Sequence, residues 1–317
     1  MLNGVFIINF MKNIISPLTN SNNVKLIKIF QISEIIKRWK DQFDIDISNE
    51  FDKDYETISL YQCVDSSLLF FEPKFEGSSN VYKELQNKFD WYYLEDKWEY
   101  DIAVKEIYGK KNIIEIGSGK GTFISKIIKK YNVNIVGLET SEEAVSTAQA
   151  NGLPVYLSNI DDFFKENPNY EVDAIISFQV LEHLSEPLNF LKEHISYMKI
   201  KSKLILCVPN VNCFYKYSDE LLDMPPHHAT KWSKETFLYL EKILPIKLKK
   251  IYYEPLHTLH KNIWLRNYSK HFRSETWYGI LLFNKITMPI ISKLLDNRGF
   301  RKLIIGHTIY VSFEKVE

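Results

Sequence analysis

Apolar and polar positions follow more than one rhythm along this chain. Between residues 112 and 209, apolar runs of strand length take turns with stretches of helical periodicity. The strand-like runs are "NIIEI" (112–116), "VNIVGLE" (133–139), "PVYLS" (154–158), "VDAIISF" (172–178) and "SKLILCVP" (202–209). Helices are predicted from Lys120, Ser141 and Glu186. Ser141 offers a capping hydroxyl, and Glu142 and Glu143 suit the positive end of a helix dipole. Nearly all-apolar strands alternating with helices predict a parallel sheet covered on both faces. "IKLKKIYYE" (246–254) and "GHTIYVSFEKV" (306–316) alternate more clearly and suit an edge hairpin, with a helical insertion at about 257–300 between them.

The front of the chain reads differently. Residues 24–50 predict a short strand and an amphipathic helix, and 57–71 predict strand–turn–strand. Residues 79–109 look largely helical, with Gly109 as the C-cap. The expected organisation is a flexible leader (1–15), a small accessory region (16–78) and an α/β domain (79–317). Met11 is an alternative start.

Composition narrows the class. Hydrophobic residues make up 45% and charged residues 25%, enough apolar material for a real core. Lys+Arg and Asp+Glu both total 40, so no global charge draws the chain to nucleic acid. Cys63, Cys207 and Cys213 give no disulfide framework and point to a reducing cytoplasm. The stretch 277–295 is apolar but broken by Asn284, Lys285 and Pro289. It is too polar to span a bilayer comfortably, which leaves peripheral membrane contact open.

The chemistry centres on "IIEIGSGKGTF" (113–123). A phosphate-binding P-loop needs glycine five positions before the Gly-Lys pair and a hydroxyl after it. Those positions hold Ile114 and Gly121. A dinucleotide fingerprint needs a third glycine where Thr122 stands. Glu139 closes the second strand of the α/β region, where an acid can accept two ribose hydroxyls or, more simply, face the next helix dipole.

Together, "IIEIGSGKGTF", "IVGLETSEEAV" and "DAIISFQVLEHLSEPLNFL" resemble the motifs of class I S-adenosylmethionine-dependent methyltransferases, with a fourth-strand motif of the ubiquinone type. The resemblance runs from about Lys88 to the C-terminus. It implies a Rossmann-like seven-stranded sheet whose last strand is antiparallel, and S-adenosylmethionine as cofactor. It further implies a cofactor seat at Glu115, Gly117, Ser118, Gly119, Gly121, Glu139 and Thr140. Glycines there let backbone approach the methionine part of the ligand. Ile160 and Asp161 would frame adenine, although Asp161 and Asp162 also suit a helix cap; Phe178 and Gln179 end the fourth strand at the ligand edge.

Transfer to a hydroxyl calls for a base near pH 7, and histidine is the suitable type. His183 follows that strand in "LEHL", and His227 and His228 stand in "DMPPHHATKWS". Each also has a structural reading as a backbone donor, and two adjacent histidines cannot easily both face one substrate. In "DWYYLEDKWEY" (90–100), Trp91, Leu94 and Trp98, with Ile102, have core spacing. Tyr92, Tyr93 and Lys97 are the candidates to cover a ligand.

The accessory region resembles the zinc ribbon that opens some sugar methyltransferases. Its four ligand positions fall at Ser16, Thr19, Cys63 and Ser66, so a ribbon-like fold without zinc is expected, and no metal site elsewhere. The nearest resemblance is to enzymes of surface-polysaccharide synthesis, which implies a sugar or glycolipid hydroxyl as acceptor. A quinone-like or small aromatic hydroxyl is the second reading. An inactive cofactor-binding partner of a glycosyltransferase, an unrelated β module at the front and an NAD oxidoreductase complete the alternatives.

Overall fold

The computed structural model describes residues 14–317 except positions 90, 91, 93–95 and 132. In chain order the front holds β1 (Val24–Gln31), α1 (Ile32–Phe43), β2 (Thr57–Cys63), β3 (Leu69–Glu72) and α2 (Ser79–Lys88). The middle holds α3 (Trp98–Glu106), β4 (Asn112–Ile116), α4 (Thr122–Ile128), β5 (Asn134–Glu139), α5 (Glu142–Ala150), β6 (Val155–Leu157), α6 (Ile160–Glu166), β7 (Val172–Phe178), α7 (Pro187–Ser196) and β8 (Met198–Pro209). Then come β9 (Thr230–Lys231), α8 (Lys234–Ile243), β10 (Ile246–Pro255), α9 (Lys261–Glu275), α10 (Gly279–Leu282), α11 (Thr287–Leu294), α12 (Arg298–Arg301) and β11 (Ile305–Lys315).

The main sheet has seven strands in the order β10-β11-β8-β7-β4-β5-β6. β4 pairs in parallel with β5 and β7, whereas β11 runs antiparallel to both β8 and β10. Ile113, Ile114, Ala174, Ile175, Leu204 and Ile205 in the central strands are at most 1% exposed, which is why those segments read as unbroken apolar runs. This is the Rossmann-like methyltransferase sheet that the strand pattern and the resemblance implied.

Three boundaries differ from expectation. α4 starts at Thr122, not Lys120, because Gly117, Gly119 and Gly121 take positive φ (68°, 52° and 74°), which a helix cannot hold. β8 starts at Met198, four residues early. The helix expected over 79–109 is two helices, with Phe89 ending α2 and α3 starting at Trp98. Trp91, Tyr93 and Leu94 lie outside the described residues, as does the leader up to residue 13. Trp98 and Ile102 do pack, half-buried, against the core beneath β4.

The front region forms its own antiparallel sheet, in the order β1-β2-β3-β9. α1 buries Ile32, Ile35, Trp39 and Phe43, one face of a helix, into a core that also takes Val81, Leu85, Leu221 and Met224. The front sheet therefore shares both a strand and a core with the segment that leads into His227 and His228. Of the four ribbon positions, Ser16, Cys63 and Ser66 are buried, and Thr19 Oγ1 lies 3.4 Å from Cys63 Sγ. Burial raises the Cys63 pKa, but hydrogen bonds from Ser16, Ser66 and Thr19 together outweigh it and leave the thiol below its ordinary value. Hydroxyls thus surround the one remaining thiol.

Candidate active site

The glycine loop leaves β4 and crosses the end of β5. Gly117 N–H and Ser118 N–H both donate to Leu138 O, at 2.9 and 3.3 Å. A Cβ at Gly117 would sit 2.4 Å from Val180 Cγ2, so φ and space both demand glycine there. Glu139 locks the loop. Its Oε2 accepts Gly119 N–H at 2.8 Å, and its Oε1 accepts Thr140 N–H and Ser141 N–H at 2.8 and 2.9 Å. An ionised carboxylate has about four acceptor sites, so one remains for a ligand hydroxyl. Ser141 caps α5 by accepting from Ala144 N–H.

Two polar groups beside the loop lack partners. Glu115 is 3% exposed, and its Oε2 has no hydrogen bond; neither has the buried Ser118 Oγ. Burial pushes the Glu115 pKa well above the carboxylate range, and nearby Lys97 only partly offsets this. Such groups call for a polar or cationic ligand at this place.

On the other side, β7 ends at Phe178. Gln179 follows with φ 57°, a left-handed conformation that a non-glycine residue seldom adopts and that often marks a functional turn. A single helical turn then carries Leu181, Glu182 and His183. The loop after β8 returns to this turn. Ala229 N–H donates to Glu182 O at 2.9 Å, while Ala229 O accepts from Phe71 N–H of β3 at 3.2 Å. Thr230 Oγ1 donates to Leu181 O at 3.2 Å. The histidine segment is therefore clamped between the front sheet and the end of β7.

The three imidazoles meet, with ring centroids 4.4 to 4.9 Å apart. Each uses Nδ1 as a donor: His183 to His227 O at 2.6 Å, His227 to Leu222 O at 2.7 Å, and His228 to Asp223 Oδ1 at 3.4 Å. Carbonyls and carboxylates only accept, so Nδ1 carries the proton and Nε2 keeps its lone pair in all three. Tyr92 donates its hydroxyl to His227 Nε2 at 2.8 Å, and Tyr82 lies 3.0 Å from His183 Nδ1.

Burial lowers the pKa of all three, that of His183 to about 3. For His228 the Asp223 carboxylate opposes that fall. Burial works against Asp223's charge, but Lys231 Nζ at 2.6 Å and His228 hold its pKa well below the usual value. Among the described residues, the three histidines have ligand atoms within 4.8 Å of one another and so could hold a metal ion.

One cavity of about 1750 Å³ joins the two sides. Glu115, Gly117, Ser118, Gly119, Glu139, Thr140, Phe178, Gln179, His183, His227 and His228 all line it, together with Tyr92 and Lys97. Three expected residues do not. Gly121 serves as the N-cap of α4. Ile160 is 2% exposed in the main core, and Asp161 Oδ1 accepts the Tyr197 hydroxyl at 2.6 Å; the cap of α6 is Asn159. Sequence reasoning passed over Tyr82, Glu182, Asp223 and Glu254, which also line the cavity. Glu182 is 1% exposed with both carboxylate oxygens unpartnered, and burial raises its pKa to about 8. A polar residue next to His183 in "LEHL" was the available signal for it.

The seat fits S-adenosylmethionine: Glu115, with its Oε2 unpartnered, and Ser118 line the cavity beside a glycine cradle, and Glu139 retains an acceptor site. The family model described as "Methyltransferase domain" matches residues 103–276, more than half of the chain. Similar solved structures include a SAM-dependent methyltransferase from Archaeoglobus fulgidus, 16% identical, with 75% of this chain and 100% of that one covered and a TM-score of 0.43. The plantazolicin methyltransferase BpumL is 14% identical, with 76% and 92% covered and a TM-score of 0.47. Coclaurine N-methyltransferase is 14% identical, with 68% and 72% covered and a TM-score of 0.43. No curated protein matches the chain. The chain belongs to the methyltransferase-domain family and is a class I S-adenosylmethionine-dependent methyltransferase.

Proposed function

We propose that the enzyme methylates a hydroxyl of a sugar or glycolipid in surface-polysaccharide synthesis, with His228 as the base. The observation that carries this reading is the shared cavity: the glycine loop forms one wall and an oriented imidazole forms another. Gly117, Ser118, Gly119 and Thr140 would border the cofactor, Glu139 would accept a ribose hydroxyl at its remaining acceptor site, and Glu115 would face the cationic methionine end. When bound, S-adenosylmethionine supplies a methyl on sulfonium that an oxygen lone pair can displace in line.

The protein's part is to place the acceptor and take its proton. The proton leaves the hydroxyl for His228 Nε2, and the ionised Asp223 stabilises the imidazolium that results, as in a carboxylate-oriented base. His227 has its Nε2 already engaged by Tyr92, and His183 Nδ1 meets a backbone carbonyl, with no carboxylate among the described residues there to stabilise an imidazolium; both position the loop. Glu182, protonated at neutral pH, can donate a hydrogen bond to a polyhydroxyl acceptor. Polar groups on this wall suit a glycan better than a flat aromatic. The hydroxyls around the buried Cys63 thiol support a ribbon-derived front region that has exchanged zinc for hydrogen bonds.

The test supplies labelled cofactor with two acceptor panels, lipid-linked or free glycans and small phenols or quinols. Label on a glycan oxygen is expected. Label on phenolic oxygen alone refutes the glycan assignment.

A further inference from the structure

We propose that the helical insertion between β10 and β11 seats on the surface of an anionic lipid bilayer. α11 is apolar on two sides. Met288, Ile291 and the following Leu295 pack inward with Leu256 and Leu265. Ile286, Ile290 and Leu294, spaced four apart on the opposite side, are 77%, 56% and 43% exposed. Trp277, Leu281 and Leu303 stand out further, at 80%, 64% and 82%. Side chains of this size in one short insertion mark an interaction surface rather than scattered surface residues.

Charge selects the partner. Residues 261–305 hold nine Lys or Arg and two Asp or Glu, in a chain whose total charge balances. Lys270, Arg273, Lys285, Lys293, Arg298 and Lys302 are exposed in the same segment as the apolar side chains. Basic and apolar groups interleaved on short helices, with Trp277 among them, suit the headgroup region of an anionic bilayer. A second copy would bring the same positive charge to the contact, which opposes a symmetric dimer through this face. Among the described residues no helix is long and apolar enough to cross a membrane, so the insertion lies on the surface.

His257, Leu259, His260 and Arg298 of this insertion also line the active-site cavity. Docking would thus bring the cavity mouth to the bilayer. The docking stands on the insertion alone; only its use for a lipid-carried acceptor rests on the function proposed above.

The test is flotation with vesicles of phosphatidylethanolamine containing about 30% phosphatidylglycerol, against vesicles of phosphatidylcholine. The full chain is expected to float with the anionic vesicles and to be released by salt. Lys285→Glu with Lys293→Glu should weaken partition by roughly 25-fold or more, taking about five-fold per basic group. Trp277→Ser with Leu281→Ser and Ile286→Ser should also abolish flotation. Both variants should bind S-adenosylmethionine normally, which certifies their fold. Failure of the folded wild type to float, equal binding to phosphatidylcholine, or a dimer that the apolar variant splits would each overturn the proposal. A chain that floats but methylates no glycan leaves docking intact and removes the acceptor assignment instead.

Discussion

Replacing Glu139 by alanine removes an acceptor from three backbone N–H groups, of Gly119, Thr140 and Ser141. Each such bond to a charged group contributes about 1.5–3 kcal/mol, but water can replace it at a half-exposed site, so the net loss of stability should be only about 1–2 kcal/mol. The larger effect falls on the cofactor. Loss of the ribose acceptor, together with a loosened Gly119, should weaken S-adenosylmethionine by roughly 1–3 kcal/mol, about 5- to 150-fold in Kd. Glu139→Gln is the informative control. Its single oxygen can keep Thr140 and Ser141, but its amide then faces the Gly119 N–H, donor against donor. Glutamine should therefore fall between wild type and alanine. Isothermal titration gives the affinities, and thermal unfolding shows that the variants fold. Unchanged affinity in a folded Glu139→Ala protein would refute the role given to this acid.

Three further predictions follow from the same geometry. His228→Ala and Asp223→Asn should cut turnover by about 10²–10⁴-fold while cofactor affinity stays within about a factor of three; full activity in both, with loss in His183→Ala, would move the base to His183. Six histidines (183, 194, 227, 228, 260 and 307) have pKa values lowered by burial, and five acids (Glu99, Glu115, Glu182, Glu193 and Glu254) have values raised by it. Below about pH 6.5 unfolding takes up protons on the histidines, and above about pH 4.5 it releases them from the acids, so the two effects oppose each other between these limits. Above about pH 6.5 the histidines are neutral in both states and only the acids act, so stability should fall from about pH 6.5 toward 8 as unfolding releases the protons of Glu182 and Glu254; urea titrations showing no loss of stability between these limits would contradict this. Elemental analysis should find no stoichiometric zinc, since three of the four ribbon positions hold hydroxyls and Tyr92 occupies His227 Nε2; one zinc per chain would contradict this.

Much of the α/β region was legible because its strands are buried on both sides. "NIIEI" and "VDAIISF" coincide with β4 and β7 to the residue, since apolar runs bounded by turn signals leave little choice of ends. Ser141 caps α5 as its hydroxyl and the following acids suggested. Local pattern failed where long-range contacts decide. Nothing in "HHATKW" announces that Thr230 and Lys231 will pair with Phe70 and Leu69, 160 or so residues earlier, yet that pairing holds the histidine segment in place. Asp223 sits inside the stretch that carries the histidines, but its role needs the loop to turn back so that His228 reaches it. Ile160 lies in the core and Asp161 meets Tyr197 from another helix end, long-range contacts that local pattern does not announce, while Asn159 rather than either aspartate caps α6.

A crystal structure of the complex with S-adenosylhomocysteine tests the central claim most directly, because it shows where donor sulfur and base stand relative to each other. The account predicts one molecule in the 1750 Å³ cavity, with a ribose hydroxyl on Glu139 and the sulfur opening toward His228. A ligand whose sulfur faces away from all three histidines, or one bound without contact to Glu139, would contradict it.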